Sequence, residues 1–330
     1  MRLNRLLPAA LVGALLVALS GCGIGLGTAG GYTPSGTLAG PLANVKRLDG
    51  ATFSVGSKNF TEQILLGKMT VILLKSAGAE VKDLTNIPGS SAARQAQLSG
   101  QVQMQWEYTG TAWLTYLGET KPIPDSDKQY IATRDADLKK NGLVWLPPAP
   151  MNDTYTMAIN AATKKQYGIT KLSQMSKIPP AKRTFCVESE FTNRPDGLKG
   201  MLEKYGLPLG SPHGIPRSNL RTLQTGAIYD ATAKGECTFG EVFTTDGRIA
   251  ALNLTPLEDD KSFFPKYNAS LVVRQEAMKD YPQIKDLFAP VATKLTNGVI
   301  AKLNREVDVD GREPADVAHD WLVQQGFLAG

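Results

Sequence analysis

The 330-residue sequence is poor in the side chains on which most metal sites and acid–base catalysts depend. It has two histidines, His213 and His319, and three cysteines that form no cluster. A structural zinc site takes four Cys or His ligands at short spacings, so no metal is expected. A Ser-His-Asp site is also disfavoured, because neither histidine lies in a recognisable motif.

Motifs and charge runs that would indicate other functions are missing as well. From residue 51 onward there is no Gly-x-Gly-x-x-Gly fingerprint, Walker loop or Gly-x-Ser-x-Gly elbow, and no cofactor is expected. Lys and Arg number 36 against 31 Asp and Glu, and loss of Arg2 and Arg5 with the N-terminal segment would leave 34 against 31. This mild excess, without a basic run, argues against a nucleic-acid partner.

A long apolar run is present only at the N-terminus. Arg2 and Arg5 precede an almost wholly apolar segment over 6–19, which is typical of a secretory signal and too short to span a bilayer. The residues that end at Cys22 resemble the lipobox of bacterial lipoproteins, whose cysteine is acylated. The sequence therefore predicts a lipoprotein signal peptide over 1–21, lipidation at Cys22, and anchoring at the outer face of the bacterial cell membrane. The alternative is an ordinary cleaved signal with a chance cysteine.

Residues 22–50 are rich in Gly, Thr, Ser, Pro and Ala, which predicts a flexible tether. The roughly 280 residues that follow are many for one core and suit two lobes. Cys186 and Cys237 remain in what would be an exported protein, so a disulfide between them is permitted. Two buried free thiols are the alternative.

The body alternates short apolar segments with helical patterns. Strands are predicted over 51–56 and 81–87, helices over 61–77 and 90–98, and a mostly helical end over 275–327. This alternation predicts an α/β architecture with a largely parallel sheet. In such sheets, ligands bind at the carboxyl ends of the strands.

Four segments carry a family resemblance. They are Val55–Gln63, Trp106–Ala112, Thr244–Ile249 and Phe263–Tyr267. In this order they resemble the osmoprotectant-binding proteins of ABC importers, which bind betaine, carnitine, choline or proline. The resemblance implies a type II periplasmic-binding-protein fold, with two α/β lobes joined by two crossover strands around a ligand cleft. It places the first lobe at 51–149 and 262–330 and the second lobe at 150–261.

The resemblance also implies a binding site. An aromatic cage for a trimethylammonium group is predicted at Tyr108, Tyr155, Phe243 and Tyr267. The carboxylate of the ligand is assigned to Lys58, Thr111 and Arg194, with Asn59 and Gln63 as further cleft-lining candidates. Ring faces suit a quaternary ammonium because it has no N–H to donate and a diffuse charge. Phe243 stands where the family usually has Tyr, so it keeps the ring face and loses the hydroxyl.

The predicted function is therefore capture of a quaternary ammonium by lobe closure, followed by delivery to an ABC permease with its ATPase. We expect a monomer. One alternative is a binding protein of the same fold for an amino acid, a polyamine or an aromatic compound. Others are a two-lobed α/β enzyme and a surface lipoprotein that has lost transport.

Overall fold

The computed structural model describes residues 32–330. The predicted signal peptide over 1–21 and the lipidation site Cys22 lie outside the described residues. Among residues 32–330, no helix is both long enough and apolar enough to cross a membrane.

Strands and helices alternate along most of the described chain. The strands are β1 Thr52–Lys58, β2 Glu80–Ile87, β3 Met104–Tyr108, β4 Leu143–Trp145, β5 Tyr155–Ile159, β6 Phe185–Val187, β7 Leu220–Thr222, β8 Phe239–Phe243, β9 Thr255–Pro256 and β10 Ala269–Arg274. The α-helices are α1 Thr61–Ser76, α2 Gly89–Leu98, α3 Thr109–Thr111, α4 Ser126–Asn141, α5 Ala161–Tyr167, α6 Ser189–Asn193, α7 Leu198–Lys204, α8 Thr225–Ala233, α9 Arg248–Ala251, α10 Gln275–Asp280, α11 Ile284–Ala292, α12 Asn297–Asp308 and α13 Pro314–Gln324.

The first sheet has the strand order β2-β1-β3-β10-β4. β1 is parallel to β2 and β3, while β10 is antiparallel to β3 and β4. β3 is buried along its whole length and α1 buries most of its residues, as expected for a sheet covered by helices on both faces. Phe53 and Val55 of β1 and Met104 and Trp106 of β3 contribute to this core.

The second sheet has the order β7-β6-β8-β5-β9. β6 is parallel to β7 and β8, and β5 is antiparallel to β8 and β9. Cys186 in β6 is joined by a disulfide to Cys237, just before β8, with a Cα–Cα distance of 5.8 Å. Both cysteines are buried beside Ile228 and Ala231 of α8, so the bridge lies in the core between α8 and the sheet.

Two chain segments run side by side from one sheet to the other. Asn152 and Asn268 form an antiparallel bridge, and the amide of Asp153 donates to the carbonyl of Tyr267 at 3.2 Å. Two mixed sheets with helices, joined by paired segments, confirm the predicted two-lobed α/β class.

The prediction of a flexible tether over 22–50 is wrong for its described C-terminal part. Leu42 and Leu48 are buried, and Leu38 pairs with Leu328 in an antiparallel bridge. The amide of Leu48 also donates to the carbonyl of Ala77 at 2.8 Å. The composition hides this packing because a few spaced leucines, placed among Gly, Pro and Ala, are enough to hold the segment on the first lobe.

Helix α4 and strand β4 were not predicted from the sequence. The buried residues of α4 are polar, namely Gln129, Thr133 and Asp137, so the helix has no apolar stripe to recognise. Asp137 accepts from the guanidinium of Arg94 and from Trp145 Nε1. A buried hydrogen-bond network thus takes the place of an apolar face.

Candidate functional site

The cleft lies where strands of both sheets end. β1 ends at Lys58, β3 ends at Tyr108 and β8 ends at Phe243, while β5 begins at Tyr155. Tyr155 pairs directly with Phe243 because β5 and β8 are antiparallel. The topology therefore brings these side chains to one place from distant parts of the chain. Lys58, Tyr108 and Phe243 lie at the carboxyl ends of strands, as the α/β rule expects, and Tyr155 lies at the start of a strand.

The two lobes are closed on each other. The amide of Ser90, at the start of α2, donates to the Glu190 carboxylate at 3.0 Å. Arg194 Nη2 of the second lobe donates to Thr111 Oγ1 of the first at 3.3 Å. These contacts shut one side of the cleft and leave a small lined cavity.

All seven residues assigned to ligand binding line this cavity, namely Lys58, Tyr108, Thr111, Tyr155, Arg194, Phe243 and Tyr267. Asn59 also lines it, and its Oδ1 accepts from the amide of Gly89 at 3.0 Å. Gln63 does not line it. Its side chain is fully buried, and its Oε1 accepts from the amide of Lys58 at 3.4 Å.

Aromatic rings form a continuous wall. The Tyr155 ring lies 5.1 Å from Phe243 and 5.5 Å from Tyr267, the latter edge to face. Phe60 stacks on Phe243 at 5.2 Å and faces Tyr108 at 6.2 Å. These are ordinary ring–ring separations, so each ring is held in place by its neighbours.

Phe60 was missed as a site residue, although it stands inside the motif Val55–Gln63. It lines the cavity between Tyr108 and Phe243. Its position between Asn59 and the start of α1 at Thr61 could have indicated this, since the turn from a strand into a helix faces the ligand edge of the sheet.

Gly110, in the motif Trp106–Ala112, lies where the structure leaves no room for a side chain. A Cβ at this position would lie 2.7 Å from the carbonyl oxygen of Lys266 and 3.0 Å from the Tyr267 ring. The absent side chain lets the returning segment approach α3 closely, which seats Tyr267 at the cavity wall.

The two cations expected to bind a ligand carboxylate already have carboxylate partners. Lys58 Nζ lies 2.6 Å from Glu107 Oε1, and both side chains are buried. Arg194 makes a two-point contact with Asp196 at 2.9 and 2.6 Å. The hydroxyl of Tyr267 donates to the same Asp196 at 2.5 Å. The cavity is therefore not a positively charged pocket.

Three carboxylates that the sequence did not indicate line the cavity as well, namely Asp153, Glu188 and Glu190. Burial raises the pKa of Glu188 above its ordinary value. Burial also favours a higher pKa for Glu190, but the charge of nearby Lys58 and hydrogen bonds from Ser90 hold that pKa below its ordinary value. Of the three, Glu190 could have been found from its spacing to Arg194. It precedes Arg194 by four residues, a spacing that favours an ion pair, and the two side chains pair at 3.2 Å.

A polar cluster lies directly behind the rings. The hydroxyl of Tyr108 donates to Glu62 Oε1 at 2.6 Å. Thr245 Oγ1 lies 2.6 Å from both Glu62 Oε2 and Asp153 Oδ1. Burial raises the pKa of Glu62 to about 7, and burial together with the Glu62 charge raises that of Asp153.

The chemistry of this cavity suits an organic cation. Ring faces attract a positive charge, and the carboxylates around them add negative potential. Among residues 32–330, no cluster of His, Cys, Asp and Glu could hold a metal ion. Two lobes closed over such a cavity define a solute-binding protein of the type II periplasmic class.

Comparison with known proteins identifies the family. The chain belongs to the family described as the substrate binding domain of ABC-type glycine betaine transport systems, which matches residues 51–324. The resemblance drawn from the four motifs is thereby confirmed.

Two relatives and one solved structure illustrate the match. A glycine-betaine-binding protein of Pseudomonas aeruginosa is 34% identical over 285 residues, covering 84% of this chain and 89% of that protein. The ergothioneine transport permease/ergothioneine binding protein EgtU of Helicobacter pylori is 31% identical over 83% of this chain, which spans about half (47%) of that relative. The crystal structure of a glycine betaine/carnitine/choline ABC transporter gives a TM-score of 0.67 at 28% identity, covering 83% of this chain and 98% of that one.

Proposed function

We propose that this protein captures a quaternary-ammonium osmoprotectant, with glycine betaine as the leading candidate, and delivers it to an ABC permease driven by its ATPase. The observation that carries the proposal is the wall of rings contributed by both lobes to one closed cavity. Tyr108 comes from the first lobe, Tyr155 and Phe243 come from the second, and Tyr267 lies on a connecting segment.

The rings have the capacity to supply the affinity. Each cation–π contact contributes roughly 0.5 to 2 kcal/mol, and the upper end applies in a dry site. Several such faces, less the ordering costs, are consistent with the ~8 kcal/mol of a micromolar complex. Tyr155 and Tyr267 are buried, so a ligand among them would be shielded from water.

Lys58, Thr111 and Arg194 are proposed to contact the carboxylate of the ligand. Because Lys58 is paired with Glu107 and Arg194 with Asp196, a ligand carboxylate would share these cations with the protein. We therefore assign the larger part of the binding free energy to the rings and the smaller part to the cations.

We propose that the permease recognises the closed state of the protein. Ligand bound between the lobes favours the closed state, since only that state offers contacts from both sides. The connecting segments, paired through Asn152 and Asn268, would serve as the hinge between lobes bounded at about residues 150 and 262. Anchoring through lipid at Cys22 and a monomeric state complete the proposal.

Calorimetric titration tests the proposal. Purified protein is titrated with glycine betaine, choline, carnitine, proline, ergothioneine and glycine. Saturable binding of glycine betaine, choline or carnitine, with glycine silent, is the expected result. Binding of ergothioneine alone would favour the alternative of a different small ligand in the same fold, and silence from all six in a folded sample would overturn the proposal.

A further inference from the structure

The polar cluster behind the rings has a part that ligand contact alone does not explain. Glu62 belongs to α1 of the first lobe, Thr245 follows β8 in the second, and Asp153 lies on a connecting segment. Thr245 Oγ1 is 2.6 Å from a carboxyl oxygen of each acid. The cluster therefore joins the two lobes. It is also hydrogen-bonded to the ring wall, because Glu62 accepts from the Tyr108 hydroxyl.

Counting protons fixes the charge of this cluster. A threonine hydroxyl has a single hydrogen and can donate only once. Two contacts of 2.6 Å from Thr245 to two carboxyl oxygens are both hydrogen bonds only if one carboxyl group carries a proton. The chain then runs in one direction, for example from Tyr108 to protonated Glu62, to Thr245, and on to ionised Asp153.

Among residues 32–330, no Lys or Arg forms an ion pair with Glu62 or Asp153, while the negative charge of Asp246 acts on both. The other polar and charged groups around the cluster are Asn304, which donates to the Thr245 carbonyl, Arg248, which pairs with Asp246 and Asp308, and Thr61, which donates to Asp308. Arg248 is thus engaged by other acids.

We propose that Glu62 and Asp153 share one proton in the closed state and act as positioning residues, so that lobe closure and ligand binding are coupled to proton uptake. The shared proton lets Thr245 bridge the lobes and lets Glu62 hold the Tyr108 ring. Asp153, one of the two carboxyl groups that share this proton, also lines the ligand cavity. The part of this proposal that concerns the ligand rests on the proposed function.

The direction of the pH effect follows from burial. Glu62 is fully buried when closed, and its pKa is raised to about 7 by that burial. When the lobes separate, water reaches the carboxyl, and we expect a pKa near the ordinary ~4.3. Closure is then accompanied by uptake of one proton at any pH between these two pKa values. Affinity is highest at low pH, falls by up to about tenfold per pH unit as pH rises through that window, and levels off above it.

The test uses wild-type protein and two variants titrated with glycine betaine, whose own carboxylate stays ionised throughout. Glu62→Gln keeps an acceptor for Tyr108 and supplies an N–H for Thr245, so it mimics the protonated acid. Glu276→Gln is the matched control, because Glu276 is 71% exposed on the first lobe and its ion-pair partner is Arg274, outside the cavity. Titration at pH 6 in buffers of different ionisation enthalpy measures the protons taken up.

Wild type and Glu276→Gln should take up close to one proton and lose about twentyfold in affinity between pH 5.5 and 7.5. Glu62→Gln should take up almost none and bind with a pH-independent affinity. Equal proton uptake in Glu62→Gln and wild type, or none in wild type, would overturn the proposal.

A second measurement keeps the test independent of the ligand. If glycine betaine fails to bind at any pH, the proposed function is wrong for that ligand, but closure of the free protein still reports on the shared proton. Small-angle scattering should then give a smaller radius of gyration at pH 5 than at pH 8 for wild type, and equal radii for Glu62→Gln. Equal radii in wild type would reject the coupling.

Discussion

The aromatic wall and the paired cations occupy the same cavity and are built in opposite ways. The rings of Tyr155 and Phe243 pack against other rings, and the Arg194 guanidinium also lies over the Tyr155 ring, 5.4 Å from its centroid, so the wall is already built to face a cation. Lys58 and Arg194 have their charges matched by Glu107 and Asp196. A charge that the protein has already neutralised has less to offer a ligand, and we therefore expect affinity to depend on the rings first.

Removing a ring should produce the largest effect. Tyr108→Ala is expected to weaken glycine betaine binding by at least roughly tenfold, the scale of one good cation–π face, as measured by calorimetry at constant pH. Tyr108→Phe is the matched control, because it keeps the face and loses only the hydrogen bond to Glu62. Unchanged binding by Tyr108→Ala would remove this ring from the cage.

Removing a paired cation should have a smaller and ligand-dependent effect. Arg194→Gln is expected to lower glycine betaine affinity by less than about tenfold and to leave choline, which has no carboxylate, nearly unchanged. The unfolding temperature should fall, because Asp196 is left buried without its partner. A loss for glycine betaine larger than that of Tyr108→Ala would reverse the ranking of rings over cations.

Restoring a hydroxyl to the wall should have a still smaller effect. Phe243→Tyr keeps the ring that stacks on Phe60 and contacts Tyr155, so affinity should stay within about threefold of wild type. A gain well beyond this would show that the missing hydroxyl limits binding, and the comparison between ring faces and polar contacts would then need revision.

The disulfide should affect stability and leave affinity unchanged. Cys186 and Cys237 lie in the core beside α8 and outside the cavity lining. The double variant Cys186→Ser/Cys237→Ser should lower the free energy of unfolding by about 2–4 kcal/mol, measured by denaturant titration, with glycine betaine affinity unchanged. Mass spectrometry of the unreduced wild-type protein should find the two cysteines joined; free thiols at both would contradict the bridge.

Sequence reasoning reached the fold and the rings for different reasons. The alternation of apolar strands and helices is a local signal, and it was sufficient for the α/β class. Tyr108, Tyr155, Phe243 and Tyr267 were identified by family resemblance, since a tyrosine at a strand end has no local mark that separates it from the core.

The rest depended on contacts between distant residues. Lys58 and Glu107 are 49 positions apart, and Glu62 and Thr245 are 183 apart, so no spacing rule could pair them. Asp153 lines the cavity because it lies on a connecting segment that passes beside the cavity. Likewise, α4 escaped notice because its buried face is polar.

The most direct test of the central claim compares two ligands of nearly the same shape. Glycine betaine and 3,3-dimethylbutanoate share a carboxylate and three methyl groups, but only the first has a positive charge on the trimethyl centre. If ring faces bind the cation, glycine betaine should bind at least roughly thirtyfold more tightly, equivalent to about 2 kcal/mol. Equal affinities would contradict the account, because shape and apolar contact would then be sufficient.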